Sequence, residues 1–174
     1  DTMKLCVSCK ACKRECPTGV DMARMKVEVT ALRTEAKGLS LHDRLVAHLP
    51  DYAPYAAAIA PLIRLRDIVP GLAWLSEKLT GFSARRPLPR WQRRWFRNHE
   101  LPNSPAHKSS STAVKPAVLL FIDSFNRYFE PENIRASVRV LQVAGYDVFT
   151  PMPDGLKQPL CCGRTFLSTG MIDR

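Results

Sequence analysis

Apolar residues recur at helical spacing through the first half of the chain. Met22, Met25, Val29 and Leu32 fall at i, i+3, i+7 and i+10, one face of a helix. Asp21 stands where an N-cap belongs, and Gly38 stands where such a helix stops. Ser40-Leu41-His42-Asp43 has the form of a capping box with the shorter acid and predicts a second helix through Leu45, Val46 and Leu49. Pro50, Pro54, Pro61 and Pro70 follow, so short helices are predicted there rather than one long one. Leu72, Leu75 and Leu79 form one more amphipathic set, closed by Gly81. The pattern then changes. Val118-Leu119-Leu120-Phe121-Ile122 is a short continuous apolar run, the mark of a buried parallel strand. Pro131 opens a helix carrying Ile134, Val138 and Leu141, Gly145 stops it, and Tyr146-Asp147-Val148-Phe149 reads as the next strand. Strand, helix and strand in this order predict a βαβ unit with a right-handed crossover.

Between the two patterns, Leu101 to Pro116 is a linker by composition, with Pro102 and Pro105 beside Ser109-Ser110-Ser111-Thr112. The predicted fold class is α + α/β. An all-helical domain occupies residues 1–83, a basic and Pro/Ser-rich linker 84–116, and a partial βαβ domain 117–174. The most apolar window, Ala53 to Ile63, is far shorter than the roughly 20 residues that cross a bilayer, and it contains Pro54 and Pro61. The chain opens on Asp1, not on methionine, and reads as a segment of a longer polypeptide at both ends.

The candidate chemistry lies in the six cysteines. Cys6, Cys9, Cys12, Cys16 and Pro17 spell C-x2-C-x2-C-x3-C-P, the bacterial ferredoxin run for a [4Fe–4S] cluster. Three thiolates three residues apart can wrap one face of an iron–sulfur cube. In two-cluster ferredoxins the fourth cysteine serves the other cluster, and one copy of the run is present here. Zinc sites more often carry two separated C-x2-C pairs, and disulfide scaffolds rarely hold this much apolar sequence, 45% of residues. Cys161-Cys162-Gly163 falls in the loop after the second predicted strand. It reads either as a metal or redox site, or as one buried thiol beside a spectator, or as a vicinal disulfide. That loop and Asp123-Ser124-Phe125-Asn126 both leave the carboxyl edge of the predicted sheet, where open α/β folds hold ligands. His42 and His48 read as surface or helix-end residues.

Charge changes the picture in two places. Lys4, Lys10, Lys13 and Arg14 surround the cysteine run. Beside an anionic cluster they favour the reduced form and raise its potential, which makes Lys10, Lys13 and Arg14 candidate cofactor-binding residues. Much of the net charge of +10 sits in Arg85, Arg86, Arg90, Arg93, Arg94 and Arg97, interleaved with Trp91, Trp95 and Phe96. Such a run packs its aromatics on a neighbouring domain and leaves its arginines solvated, or it touches an anionic membrane surface, or it binds nucleic acid. No nucleic-acid fold motif accompanies it, and nucleic acid is not expected as a partner. There is no G-x-G-x-x-G fingerprint and no nucleophile elbow, so no catalytic residue is assigned.

The ferredoxin run, the helical spacer and the βαβ unit ending in Cys161-Cys162-Gly163 together resemble a known family. Over essentially the whole chain they are similar to the C-terminal iron–sulfur region of FAD-linked D-2-hydroxyacid dehydrogenases, which act on substrates such as D-lactate, D-2-hydroxyglutarate and glycolate. The stretches LCVSCKACKRECPTGVDMARMK, LLFIDSFNRYFEPEN and PLCCGRTFL carry the resemblance. The iron–sulfur subunit of glycolate oxidase and the cysteine-rich subunits of heterodisulfide reductase are similar too. The resemblance implies a helical 4Fe-4S ferredoxin-type domain and a partial cysteine-rich CCG domain. It implies two clusters in the complete protein, with Cys6, Cys9 and Cys12 holding one together with an upstream cysteine, and Cys16 serving the other. Cys161 and Cys162 become candidate metal ligands, although the chain has Asp123-Ser124 where that family usually carries a cysteine.

By the same resemblance, FAD and the hydroxyacid belong to an upstream domain or subunit, and this chain passes electrons from FAD through its clusters to an acceptor. The alternatives are a separate iron–sulfur subunit docking on oxidoreductases, and a zinc-stabilised basic module for nucleic acid. The expected location is the cytoplasm, or the periphery of the membrane at its inner face.

Overall fold

Capping chemistry sets the ends of the helices. Asp21 accepts the Arg24 N–H at 3.0 Å, and the Gly38 N–H donates to the Thr34 carbonyl at 2.8 Å, with φ +72° at the glycine. Ser40 Oγ accepts the Asp43 N–H at 3.1 Å and lies 2.7 Å from Asp43 Oδ2, so the predicted capping box forms with the shorter acid. In this computed structural model, residues 2–101, 115–151 and 160–173 are described. The elements in chain order are a 3₁₀ turn Thr2–Leu5, α1 Ala11–Glu15, α2 Met22–Lys37, α3 Leu41–Ala47, α4 Leu49–Ala58, α5 Ala60–Ile68 and α6 Leu72–Thr80. A 3₁₀ turn Asn98–Glu100, β1 Ala117–Leu119, α7 Ser124–Tyr128, α8 Pro131–Val143, β2 Asp147–Phe149 and α9 Arg164–Ser168 complete it. The fold is mostly helical with a two-stranded sheet.

The chain divides into two units, Asp1–Leu49 with Gly163–Arg174, and Pro50–Cys162. In the first unit the C-terminal helix α9 packs on α3 and α2. The Thr34 hydroxyl donates to the Thr169 carbonyl at 2.8 Å, and Phe166 meets the His48 ring edge-on at 5.8 Å. Gly170 lies directly on α2. A Cβ there would stand 2.7 Å from the backbone of Thr30 and Ala31.

In the second unit β1 and β2 pair in parallel, Ala117 opposite Asp147 and Leu119 opposite Phe149. The first strand is shorter than its apolar run. After Leu120, whose N–H still reaches the Phe149 carbonyl at 2.7 Å, the chain turns to place Asp123 as a helix cap. Asp123 Oδ1 accepts the N–H groups of Phe125 and Asn126, so the segment read as a loop begins the helix α7. Both α7 and α8 therefore lie in the crossover between the strands. Phe96, Leu101, Ile122, Ile134, Val138 and Val148 form one core; Ala53, Ala57 and Tyr128 form a smaller one, flanked by Trp91 and Trp95.

The aromatics of the arginine-rich run are thus packed. Trp91 lies 4.4 Å from the Phe129 ring and Trp95 lies 5.1 Å from Tyr128, measured between ring centres. The Gln92 and Phe96 N–H groups donate to the carbonyls of Tyr128 and Arg127. Of the expected linker, residues up to 101 lie in this unit, and residues 102–114 lie outside the described residues. Among the described residues no helix is long and apolar enough to cross a membrane.

Candidate metal centre

The loop Cys6–Lys10 joins the first 3₁₀ turn to α1. Ser8 and Lys10, on either side of Cys9, both take left-handed backbone conformations, with φ +58° and +59°. Neither is glycine, so each costs on the order of 1 kcal/mol relative to ordinary backbone. Alternation of left-handed residues with others builds concavities lined by N–H groups, the backbone form that accepts anions and iron–sulfur sites. Downstream, the Met22 N–H at the start of α2 points at Cys12 Sγ, 3.4 Å away. Lys26, one turn further along α2, donates its ammonium to the Cys6 carbonyl and ties the loop to the helix.

Cys16 ends α1 and has its own surroundings. The Thr18 hydroxyl lies 3.1 Å from its sulfur. That hydroxyl, with the N–H groups of Val20, Thr18 and Gly19, draws the thiol below its ordinary value, against burial, which raises it. Asp21 is also held low, first by the Arg24 N–H, then by the charges of Lys13 and Lys10. Lys13 Nζ stands 3.5 Å from the Asp21 carboxylate. Arg14 and Lys10 are exposed.

All six cysteines are free thiols. Cys6, Cys9, Cys12 and Cys16 fall in the first unit, Cys161 and Cys162 in the second. Among the described residues no three His, Cys, Asp or Glu side chains stand close enough together to hold a metal ion. The donor set of the run nevertheless suits an iron–sulfur cluster: four free thiols within eleven residues, Cys6 and Cys9 on the loop and Cys12 and Cys16 on α1 and its end, one taking an N–H, one with a depressed pKa. Cys161 is half-buried and Cys162 exposed, before Gly163, whose φ of +71° begins α9. Beyond β1, Asp123 is spent on capping α7 and Ser124 is buried. Residues 152–159 of the second loop lie outside the described residues. Thr18 and Lys26 were not legible as site residues. Nothing in their spacing from the cysteines signals a contact that only the turn after Pro17 and the pitch of α2 create.

The D-2-hydroxyglutarate dehydrogenase of Escherichia coli K12 is 27% identical over 165 residues, covering 91% of this chain and 16% of that protein. The D-2-hydroxyglutarate dehydrogenase of Haemophilus influenzae is 27% identical over 148 residues, covering 83% of this chain and 14% of that protein. The chain is weakly homologous to these dehydrogenases. It spans a small part of their length, and the matched region includes most of its own residues. No protein-family model and no solved structure matches the chain.

Proposed function

We propose that this chain is the electron-transfer, iron–sulfur part of a flavin-dependent 2-hydroxyacid dehydrogenase. The observation that carries the reading is the C-x2-C-x2-C-x3-C-P run on a loop with left-handed residues flanking Cys9 and a backbone N–H aimed at Cys12. Weak homology to D-2-hydroxyglutarate dehydrogenases supports the choice of substrate class. A bound [4Fe–4S] cluster supplies one-electron transfer. Cys6, Cys9 and Cys12 provide three thiolates for one cluster, and Cys16, its thiol already drawn low, provides a thiolate for a second. Lys10, Lys13 and Arg14 offset the anionic charge of such a site. Lys26 fixes the loop through the Cys6 carbonyl and leaves the sulfurs free. FAD and the hydroxyacid belong to a flavin domain or subunit that this chain serves. Its place is the cytoplasm or the inner periphery of the membrane.

Anaerobic reconstitution of the full chain with iron and sulfide tests the reading, with iron, sulfide and zinc assays and EPR of the reduced state. Equal iron and sulfide with a reduced-state signal that Cys9→Ser abolishes is the expected result. Cys162→Ser run alongside reports whether the Cys-Cys pair contributes a ligand. Stoichiometric zinc without a stable iron–sulfur cluster overturns the proposal.

A further inference from the structure

The helices α5 and α6 pack on each other, yet both keep large apolar side chains in solvent. Leu62 is 63% exposed and Leu79 64%, with Leu65, Ile68, Leu72 and Leu75 exposed beside them. A groove of about 370 Å³ runs between the helices, lined by Leu62, Leu72, Leu75 and Leu79 and floored by the buried Arg66. A second groove of about 610 Å³ borders α5 and presents Arg64, Arg90, Arg93 and Arg94, with Asp67, whose carboxylate is paired with Arg66, in the same lining. Ile63 and Leu88 line both grooves, so the apolar and basic surfaces are continuous. No carboxylate among the described residues pairs with these four guanidinium groups. Trp74 is 57% exposed, and Lys78 Nζ stands 4.0 Å above its ring.

We propose that the α5–α6 hairpin, with the arginines of residues 90–94 beside it, is a docking surface for an anionic lipid bilayer. Charge complementarity chooses this occupant. The surface asks for hydrocarbon and anions side by side, with the anions spread along a basic rim instead of fixed at single points, and an anionic bilayer presents that pair of features. Trp91, Trp95 and Phe96 of the arginine run are packed within the second unit, so the run offers cations while the hairpin supplies the apolar contact. Each helix has 9 residues, too short to cross a membrane and suited to lying along its surface. An amphipathic indole with a lysine at its level is the side-chain pair that sits at a headgroup boundary. The proposal is independent of the iron–sulfur reading, since it uses no cysteine.

Sedimentation of the full chain with phosphatidylcholine vesicles, with and without phosphatidylglycerol, tests it, together with tryptophan emission. Binding is expected on the anionic vesicles alone, weakened by salt, with a blue shift that Trp74→Phe removes. The Arg64→Gln, Arg93→Gln, Arg94→Gln triple variant should bind roughly a hundredfold more weakly, at about fivefold per cation. Leu62→Ser with Leu75→Ser should lose the blue shift while circular dichroism stays unchanged. Binding to neither vesicle overturns the proposal, as does a chain that self-associates through Leu62 and Leu75 instead. Salt-sensitive binding with unshifted Trp74 emission, unaffected by the leucine variants, also overturns it, because that is plain electrostatic adsorption.

Discussion

At the scale of single residues, two glycines separate close approach from backbone conformation. Gly163 and Gly170 both have positive φ, +71° and +83°, but a Cβ on Gly163 meets nothing, whereas one on Gly170 runs into the backbone of α2. Gly163→Ala should therefore cost about 1 kcal/mol, the left-handed penalty alone. Gly170→Ala should cost roughly 2–4 kcal/mol, because the neighbouring atoms are main chain and cannot swing aside. Urea unfolding of both variants measures the difference, and equal costs would show that the C-terminal turn can lift off α2. Glu100 gives a pH-dependent counterpart. Burial alone would raise its pKa, but the Arg135 guanidinium, at 2.8 and 3.2 Å, with the Arg97 N–H and the Arg135 and His99 charges, holds it below the usual value. A carboxylate whose folded pKa is depressed contributes stability above its unfolded pKa, and that contribution disappears as pH falls through the folded value. Glu100→Gln should thus be less stable than the parent by up to about 1 kcal/mol at pH 7, since the pair is partly exposed. The gap should narrow as pH falls below the ordinary glutamate range and close once Glu100 is protonated in the folded protein. A gap that persists in acid would assign the effect to packing.

At the scale of elements, Arg66 joins two helices and a turn. Its buried guanidinium donates to Ser76 Oγ on α6 at 3.1 Å, to the carbonyls of Phe82, Ser83 and Arg86, and to the Asp67 carboxylate. A lysine has one charged nitrogen and cannot reach α6, the turn and Asp67 together. Arg66→Lys should cost about 2–3 kcal/mol in urea unfolding, the scale for breaking a buried charge network. A change within about 0.5 kcal/mol would show the hairpin held by its apolar contacts. This clamp also marks where sequence reading ran out. Helix ends were legible because Asp21, Ser40, Gly38 and Pro131 act on backbone groups within a few residues. The capping role of Asp123 was local as well, but Ile122 before it is apolar, and the strand pattern ran into the cap and concealed α7. Arg66 looks like any helical surface arginine, since its partners in the 82–86 turn are carbonyls, which sequence does not display. In the cysteine loop the ligand candidates stood out by spacing alone. The left-handed turns at Ser8 and Lys10 did not, because neither is the glycine that normally announces them.

At the scale of the whole chain, the unit that carries the cysteine run also contains residues 163–174. In the first unit α9, within Gly163–Arg174, packs on α2 and α3. The contacts are specific: the Thr34 hydroxyl on the Thr169 carbonyl, Phe166 on His48, and Gly170 on the backbone at Thr30 and Ala31. The same α2 holds the cysteine loop through the Met22 N–H and the Lys26 ammonium. Loosening α2 should therefore loosen the loop. Deleting residues 163–174 should speed amide exchange along α2 at least tenfold and raise the alkylation rate of Cys12, whose sulfur the Met22 N–H faces. The α8–β2 packing belongs to the other unit, so its exchange should change little. Gly170→Ala should reproduce part of the effect on α2 without removing any residue. Faster exchange everywhere would mean that the two units unfold together. An unchanged α2 would mean that its caps and helical hydrogen bonds suffice, and that the C-terminal helix only rests on it.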